Sequence, residues 1–441
     1  MLHPVDMSGY LVSLVIFTCI YALFSLGLNL QWGFTGLINF GYVAFLTVGA
    51  YATVLLSLAN LPLPIAVVIG GVLAALLGLL IGFSTVRLRE DYLAIVTIGV
   101  SEIIRLIALN EEWLTKGSFG IQNYPLPLEN FRPTLLSRLV MIAVLTAILA
   151  VVLWRLARWL RLQLEGKPFS AIVKSATGIG LYLLLLAALV FGVSLVFPVL
   201  AATNAAAGLL TILVLAALGG MIWLSIWLGR RWVTRLPAWE GGLVLLTVLF
   251  FMGFGLWIYG VCAVALFNYS QNPARNGLMF VCIGVLAFTF WALERLVRSP
   301  WGRVLKAIRE DEAVAKALGK NVFWYKLQSL MIGGFIGGVA GALFAWQLST
   351  IYPENFQPLI TFNAWTIVVL GGAGNNGGTI LGAIIFWAYT TGTRFLDQII
   401  PLDDSRLGAL RIMLIGLLLI VLMMWRPQGL LGKKEELTLG Q

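Results

Sequence analysis

Uncharged apolar runs of about 20 residues, the length that crosses about 30 Å of hydrocarbon as a helix, recur along this chain. They are continuous, without the alternating segments of about ten residues that a membrane β-barrel requires. The pattern predicts spans at 11–31, 36–58, 62–86, 91–109, 135–153, 178–200, 205–228, 241–267, 277–297, 327–349 and 406–425. The run 363–391 is also long enough to span, but it carries GGAGNNGG at 371–378, a helix breaker at its middle. Irregular backbone at that depth is tolerated where protein or a cavity covers it. The segment is therefore expected to be a re-entrant hairpin of two half-helices, with an ordinary glycine-kinked span as the alternative. The predicted fold is an all-α polytopic membrane protein: about eleven transmembrane helices plus one re-entrant helical hairpin.

Basic residues in short loops orient such helices. Arg155, Arg158, Arg161, Lys167 and Lys174 mark one cytoplasmic loop, Arg230, Arg231 and Arg235 another, and Arg87 and Arg89 a third. Arg298, Arg303, Lys306, Arg309, Lys316 and Lys320 mark a fourth, and Arg426, Lys433 and Lys434 the tail. These alternate correctly with the N-terminus outside and the C-terminus cytoplasmic, provided that 363–391 is a hairpin. Asp397, Asp403 and Asp404 then lie outside.

Composition agrees with the pattern. Of 441 residues 60% are hydrophobic and 11% charged, against about 25% charged in soluble domains. The net charge of +10 reads as loop charge rather than a nucleic-acid surface. Cys19, Cys262 and Cys282 stand in separate apolar runs without zinc spacing. His3 is the only histidine, so neither a metal site nor histidine-based catalysis is expected. The first apolar run lacks the cationic start and small-residue cleavage site of a signal peptide and reads as a retained helix.

One stretch breaks the apolar pattern. In SPWGRVLKAIREDEAVAKALGKN, residues 299–321, eight of 23 residues are charged. Val304, Ile308, Ala315 and Leu318 form a stripe at helical spacing, interrupted by Asp311, a good N-cap. Two short helices are predicted, 303–310 and 312–318. Gly319 suits the left-handed position that ends the second, and Lys316 and Lys320 suit its negative dipole end. The acids Glu310, Asp311 and Glu312 disfavour an anionic lipid surface. Docking into a groove on a soluble partner is favoured, over a solvated linker.

EDEAVAKALGKN resembles the coupling loop of ABC-importer permeases. LGLNLQWGFTGLINFGYVAFLTVGAYA (26–52), LREDYLAIVTIGVSEIIRL (88–106), TKGSFGI (115–121), RSPWGRVLKAIREDE (298–312) and VVLGGAG…GGTILGA (368–374, 377–383) resemble LivM-type permeases for branched-chain amino acids. The resemblance implies the fold of type II ABC-importer permeases, with a four-helix insertion in the middle. Four is an even number, so the coupling loop stays cytoplasmic. The implied organisation is N-terminal permease helices 1–134, inserted helices 135–271, C-terminal permease helices 272–426 with coupling loop 298–326, and a tail 427–441. Implied partners are ABC ATPase subunits, a second (LivH-type) permease, a periplasmic substrate-binding protein and membrane lipid, in the bacterial inner membrane. No nucleic acid and no directly bound cofactor are expected. ATP belongs to the partner, since Lys320 is followed by Asn321 and Val314 occupies the first glycine position of a phosphate-binding loop.

The residues expected to couple to the ATPase are Arg309, Glu310, Asp311, Glu312, Ala313, Ala317 and Gly319. Asn29, Gln31, Asn39, Tyr42, Gly371, Asn375 and Asn376 are candidates for the translocation path, because glycine breaks free backbone groups to line one. Glu102 and Arg105, three residues apart in an apolar run, are expected to form a structural ion pair. Gly333, Gly337 and Gly341 are expected to let helices pack closely. The expected function is a non-catalytic permease subunit for hydrophobic or neutral, branched-chain, amino acids. A urea permease and an ion-coupled secondary transporter are the alternatives; the second lacks the intramembrane carboxylates it needs. A lipid-processing enzyme fits less well still.

Overall fold

The computed structural model describes residues 4–86, 90–128, 134–164, 168, 170–181, 239–267, 273–392 and 428–432, with isolated helical positions between 408 and 420. The predicted span at 205–228 and most of those at 178–200 and 406–425 lie outside the described residues. So do His3, Arg87, Arg89, Lys167, Arg230, Arg231, Arg235, Asp397, Asp403, Asp404, Arg426, Lys433 and Lys434.

The elements are α1 (Pro4–Leu28), α2 (Val43–Leu58), α3 (Leu63–Thr85), α4 (Glu90–Asn110), α5 (Leu135–Leu164), α6 (Trp239–Phe267) and α7 (Pro273–Arg298). There follow α8 (Pro300–Glu310), α9 (Glu312–Ala317), α10 (Val322–Leu348), α11 (Leu359–Gly371) and α12 (Asn376–Gly392). Among the described residues six helices are long and apolar enough to cross a bilayer, seven if the bent pair around α11 and α12 counts as one span. The chain is a mostly helical, multi-pass membrane protein.

The chain divides into two compact units, one of Met1–Met141 with Val264–Gln441, the other of Ile142–Ala263. In the second, Thr146 and Tyr259 share a hydroxyl hydrogen bond of 2.7 Å. A Cβ on Gly242 would stand 2.8 Å from the Ala176 amide nitrogen, so α6 approaches the helical residues 170–181 closely there.

The first unit is built around α10, most of which is buried. Its glycines set three contacts. A Cβ on Gly333 would stand 2.9 Å from the Gly27 carbonyl oxygen of α1, one on Gly334 2.9 Å from the Ala74 oxygen of α3, and one on Gly337 3.0 Å from Phe45 Cβ of α2. At Gly341 it would overlap the Leu46 carbonyl. At one end of α10 a short antiparallel pair joins Ile121–Gln122 to Thr350–Ile351, so TKGSFGI leads into the loop that follows α10.

The expected span at 36–58 is helical only from Val43. Before it, α1 widens into a π-helical turn at Asn29–Phe34. Gly36 takes a left-handed backbone (φ +81°), and residues 35–42 turn without forming helix. The apolar count missed this because the segment is buried although irregular. The glycine run acts as a break: helical segments Pro353–Gly371 and Asn376–Thr391 are bent by 118°.

Gly341→Leu should therefore unfold the first unit more easily, since overpacking costs about 1–3 kcal/mol or more. Gly284→Ala, where an added Cβ meets nothing within 4 Å, is the control. Thermal melting in detergent checks this. A Gly341→Leu protein that melts no lower than the control contradicts the packing described.

Candidate functional site

A helix that widens or stops away from water leaves backbone groups unbonded, and each needs a partner. Here side-chain amides supply them. Asn29 accepts the Gly374 N–H through Oδ1 (2.9 Å) and donates Nδ2 to Asn376 Oδ1 (3.2 Å). Asn376 in turn donates to Glu294 Oε2 of α7 (3.3 Å), and Glu294 pairs with Arg298. Gln31 donates to the Leu330 carbonyl of α10 (3.2 Å) and accepts from Asn39 Nδ2 (3.0 Å). Thr35 and Ser329 share a bond of 2.7 Å beside the Leu30 carbonyl.

The irregular stretch 35–42 is held in the same way. Thr97 accepts the Phe40 N–H, Thr361 accepts the Val43 N–H, and Trp365 Nε1 donates to the Asn39 carbonyl. Tyr42, fully buried, donates to the Gly333 carbonyl (2.7 Å). Asn375 holds the break from the other side: its Nδ2 donates to the Leu431 carbonyl (2.7 Å) and its Oδ1 accepts the Gly378 N–H (3.1 Å). Leu430 and Leu431 donate their N–H groups to the carbonyls of Leu370 and Gly371. Gly371 and Gly378 touch backbone to backbone. Of the seven residues expected to line a path, Asn29, Gln31, Asn39, Tyr42, Gly371 and Asn376 are thus buried. They bond the π-helical turn, α10 and the glycine break together.

The charged stretch folds as two short helices. Asp311 caps the second, accepting from the Ala313 and Val314 N–H groups at 2.8 and 3.1 Å. Gly319 is left-handed (φ +75°), and a Cβ there would meet nothing, so any strain from a side chain would come from the backbone alone. The hairpin seats on the π-helical turn. Arg309 Nη1 donates to the Gly33 carbonyl, Gly36 lies against the Arg309 stem, and Lys306 Nζ lies 5.7 Å from the centre of the Phe34 ring.

Glu312 ties the hairpin to α10. It accepts from Lys326 (2.6 Å), which is buried at the start of α10, and from Lys316 (2.7 Å). Burial raises its pKa, but these two lysines outweigh burial and hold the carboxyl below the usual carboxylate range. A depressed folded pKa stabilises above the ordinary Glu value of 4.5. That contribution is lost as pH falls through the lower folded value. The hairpin's anchor is therefore intact at neutral pH.

The apolar stripe comes out differently from its spacing. Ile308, Ala315 and Val322 form the buried cluster, with Val304 and Tyr325 against it. Leu318 is 71% exposed, and Val314 is exposed beside it. The extended Asp311 (φ −154°) resets the helical phase, and the chain turns at Leu318, so a count that assumed one continuous helix misplaces Leu318. Ala313, Val314, Ala317, Leu318 and Gly319 present an exposed face. Sequence reasoning also missed Glu294, Ser329, Lys326 and residues 428–432. Only Lys326, a lone cation beside the hairpin, carried a signal that could have found it.

Glu102 and Arg105 are paired on α4, with Arg105 Nε 3.1 and 3.0 Å from the two carboxylate oxygens. Among the described residues no group of three His, Cys, Asp or Glu could hold a metal ion.

A family model described as branched-chain amino acid transport system / permease component matches residues 10–159 and 166–423. The high-affinity branched-chain amino acid transport system permease protein LivM of Escherichia coli K12 is 27% identical over 429 residues, 97% of this chain and 71% of that protein. Its namesake in Salmonella typhimurium is 26% identical over the same shares. A LivM-named permease of Methanocaldococcus jannaschii is 30% identical over 188 residues, 41% of this chain and 54% of that one. No solved structure matches the chain.

Asn29→Leu, which keeps the size and removes the amide, should leave the Gly374 N–H and Asn376 Oδ1 without partners. The expected cost is about 1–3 kcal/mol, read as a lower melting temperature in detergent. An unchanged melting temperature contradicts the bonded break.

Proposed function

The chain belongs to the family of branched-chain amino acid transport permease components, membrane subunits of ABC importers, and on that premise we propose that its hairpin 298–326 is the seat for a separate ATPase. The single observation that carries this reading is the contact of Arg309 with the Gly33 carbonyl. It ties the exposed hairpin to a turn that is itself bonded, through Asn29, to the glycine break. A displacement of the hairpin by a nucleotide-driven partner would then reach the break through a few hydrogen bonds. The face made by Ala313, Val314, Ala317, Leu318 and Gly319 is the docking surface, and Arg309 and Glu312 anchor it from behind.

The glycine break is a re-entrant hairpin whose tip lies toward the cytoplasm. Three features support this. α11 has 13 residues, about 20 Å at 1.5 Å per residue, too short to cross. The bend is 118°. Residues 428–432, next to the basic tail, bond to the same tip as the π-helical turn beside the hairpin 298–326. The N-terminus is then outside and the C-terminus cytoplasmic, in a chain of about eleven spans plus this hairpin. Residues 135–271 are inserted helices between permease segments 1–134 and 272–426. A second, LivH-type permease, a periplasmic binding protein and a bacterial inner membrane complete the assembly. The chain is non-catalytic, with ATP on its partner.

The substrate is a branched-chain or other neutral amino acid. The names of the relatives favour this over urea, and family membership disfavours an ion-coupled transporter. The complete transporter in proteoliposomes should take up labelled leucine in an ATP-dependent way. Uptake of labelled urea without leucine would overturn the substrate. Leu318→Asp should keep the fold, since the side chain is exposed, but abolish co-purification of the ATPase subunit and uptake. Normal co-purification would overturn the docking surface.

A further inference from the structure

No charged residue stands between Gly277 and Leu293 of α7, and the run from Asn276 to Arg298 is long and apolar enough to cross a bilayer. The charges begin where the apolar run ends, with Glu294, Arg295 and Arg298. The last turns of α7 therefore suit the level where hydrocarbon gives way to headgroups. Buried Cys282, Leu293 and Val297 mark the side of α7 that faces the protein. On the opposite side Gly284, Phe288, Trp291, Arg295 and Arg298, spaced four and three residues apart by turns, form one outer face. All five are exposed. Phe288 is 66% exposed and the Arg298 side chain 76%, and a Cβ on Gly284 would meet nothing within 4 Å.

The side chains of this face touch one another. Arg295 Cζ lies 4.4 Å from the centre of the Trp291 ring, and the Trp291 and Phe288 rings are 6.0 Å apart. The indole attracts the guanidinium through its face but takes none of its hydrogen bonds. None of the five N–H donors of Arg295 has a hydrogen-bond partner among the described residues. Arg298, one turn further on, uses Nη2 on Glu294, whose other oxygen is turned inward to Asn376. One carboxylate thus stands against two guanidinium groups, and one positive charge is left unmatched at this end of α7.

Two properties select the occupant. Close helix contacts in a bilayer use small residues, whereas this face presents Phe288 and Trp291. Lipid tails match its aromatic part, and an anionic headgroup matches its cation. We propose that Arg295, Arg298 and Trp291 hold the phosphate headgroup of an anionic phospholipid, with its acyl chains along Phe288 and Gly284. The guanidinium groups donate to the phosphate oxygens, and the indole lies at the level of the glycerol esters. Ser299, the next residue, caps α8, so the lipid meets the chain where it enters the hairpin 298–326. The site requires that α7 spans the membrane; it does not depend on the substrate.

The test uses the full chain with its co-purifying subunits, in nanodiscs of phosphatidylcholine. A trace of phosphatidylglycerol carries a photoreactive diazirine on its headgroup. Irradiation should label residues 284–298, read by peptide mass spectrometry. Unlabelled phosphatidylglycerol should compete the label away; added phosphatidylcholine, and glycerol 3-phosphate at equal phosphate, should not. Arg295→Gln should lower the labelling about fivefold, the share of one basic residue at an anionic surface. Arg295→Lys, which keeps the charge, should restore it, as a misfolded protein would not. Competition by phosphatidylcholine as strong as by phosphatidylglycerol overturns the site, as does unchanged labelling of Arg295→Gln or a failure of Arg295→Lys to restore it. Competition by glycerol 3-phosphate overturns the lipid as ligand, because a soluble anion then suffices. Absence of label on 284–298 also overturns the proposal, because another membrane subunit then covers this face.

Discussion

A backbone amide left unbonded away from water costs several kcal/mol, and this protein packs two stretches of irregular backbone among its helices. One is the π-helical turn with the chain that follows it to Tyr42; the other is the break after Gly371. The arrangement of the first unit depends on how these are satisfied. Asn29 bonds both stretches at once. Gln31 and Ser329 fix the turn to α10, and Asn375 fixes the break to residues beyond the last predicted span. The side chains of Asn29, Gln31 and Asn375 bond backbone groups, whereas those of Asn39 and Asn376 bond only other side chains.

The second constraint is distance. These short side chains reach only because the helices stand unusually close. Gly27, Gly333 and Gly337 let Tyr42 lie across α1 and α10 and bond the Gly333 carbonyl. Larger residues there would push α10 away from the turn and unmake the bonds. Close packing and polar satisfaction are therefore one condition met by two residue types.

Much of this was legible. Apolar runs gave α3, α4, α6 and α7 within four residues and α10 within five, while α1 begins seven residues before its run; a bilayer imposes a length that tertiary contacts seldom override. The break at Gly371–Gly378, the cap at Asp311 and the left-handed Gly319 followed from local chemistry. Glycines around Asn39 signalled a break, but the partners that hold 35–42, Thr97, Thr361 and Trp365, were hidden, being 57 residues or more distant. The outward turn of Leu318 was hidden too: a helical count carries no information on a phase reset. Glu294 and residues 428–432 join the break only through folding. The amides of Asn29, Gln31 and Asn39 stood out in sequence, but spacing could not name their hydrogen-bond partners.

In this account the docking hairpin and the glycine break move as one body through the turn Asn29–Phe34, although Arg309 and Asn376 do not touch. Residues in one hydrogen-bonded network couple by about 0.5–3 kcal/mol, while independent sites add. The most direct measurement is a double-mutant cycle of Arg309→Gln and Asn376→Leu, read as substrate-stimulated ATP hydrolysis by the complete transporter. The account predicts a double variant little worse than the more damaging single one. Effects that multiply independently would contradict it.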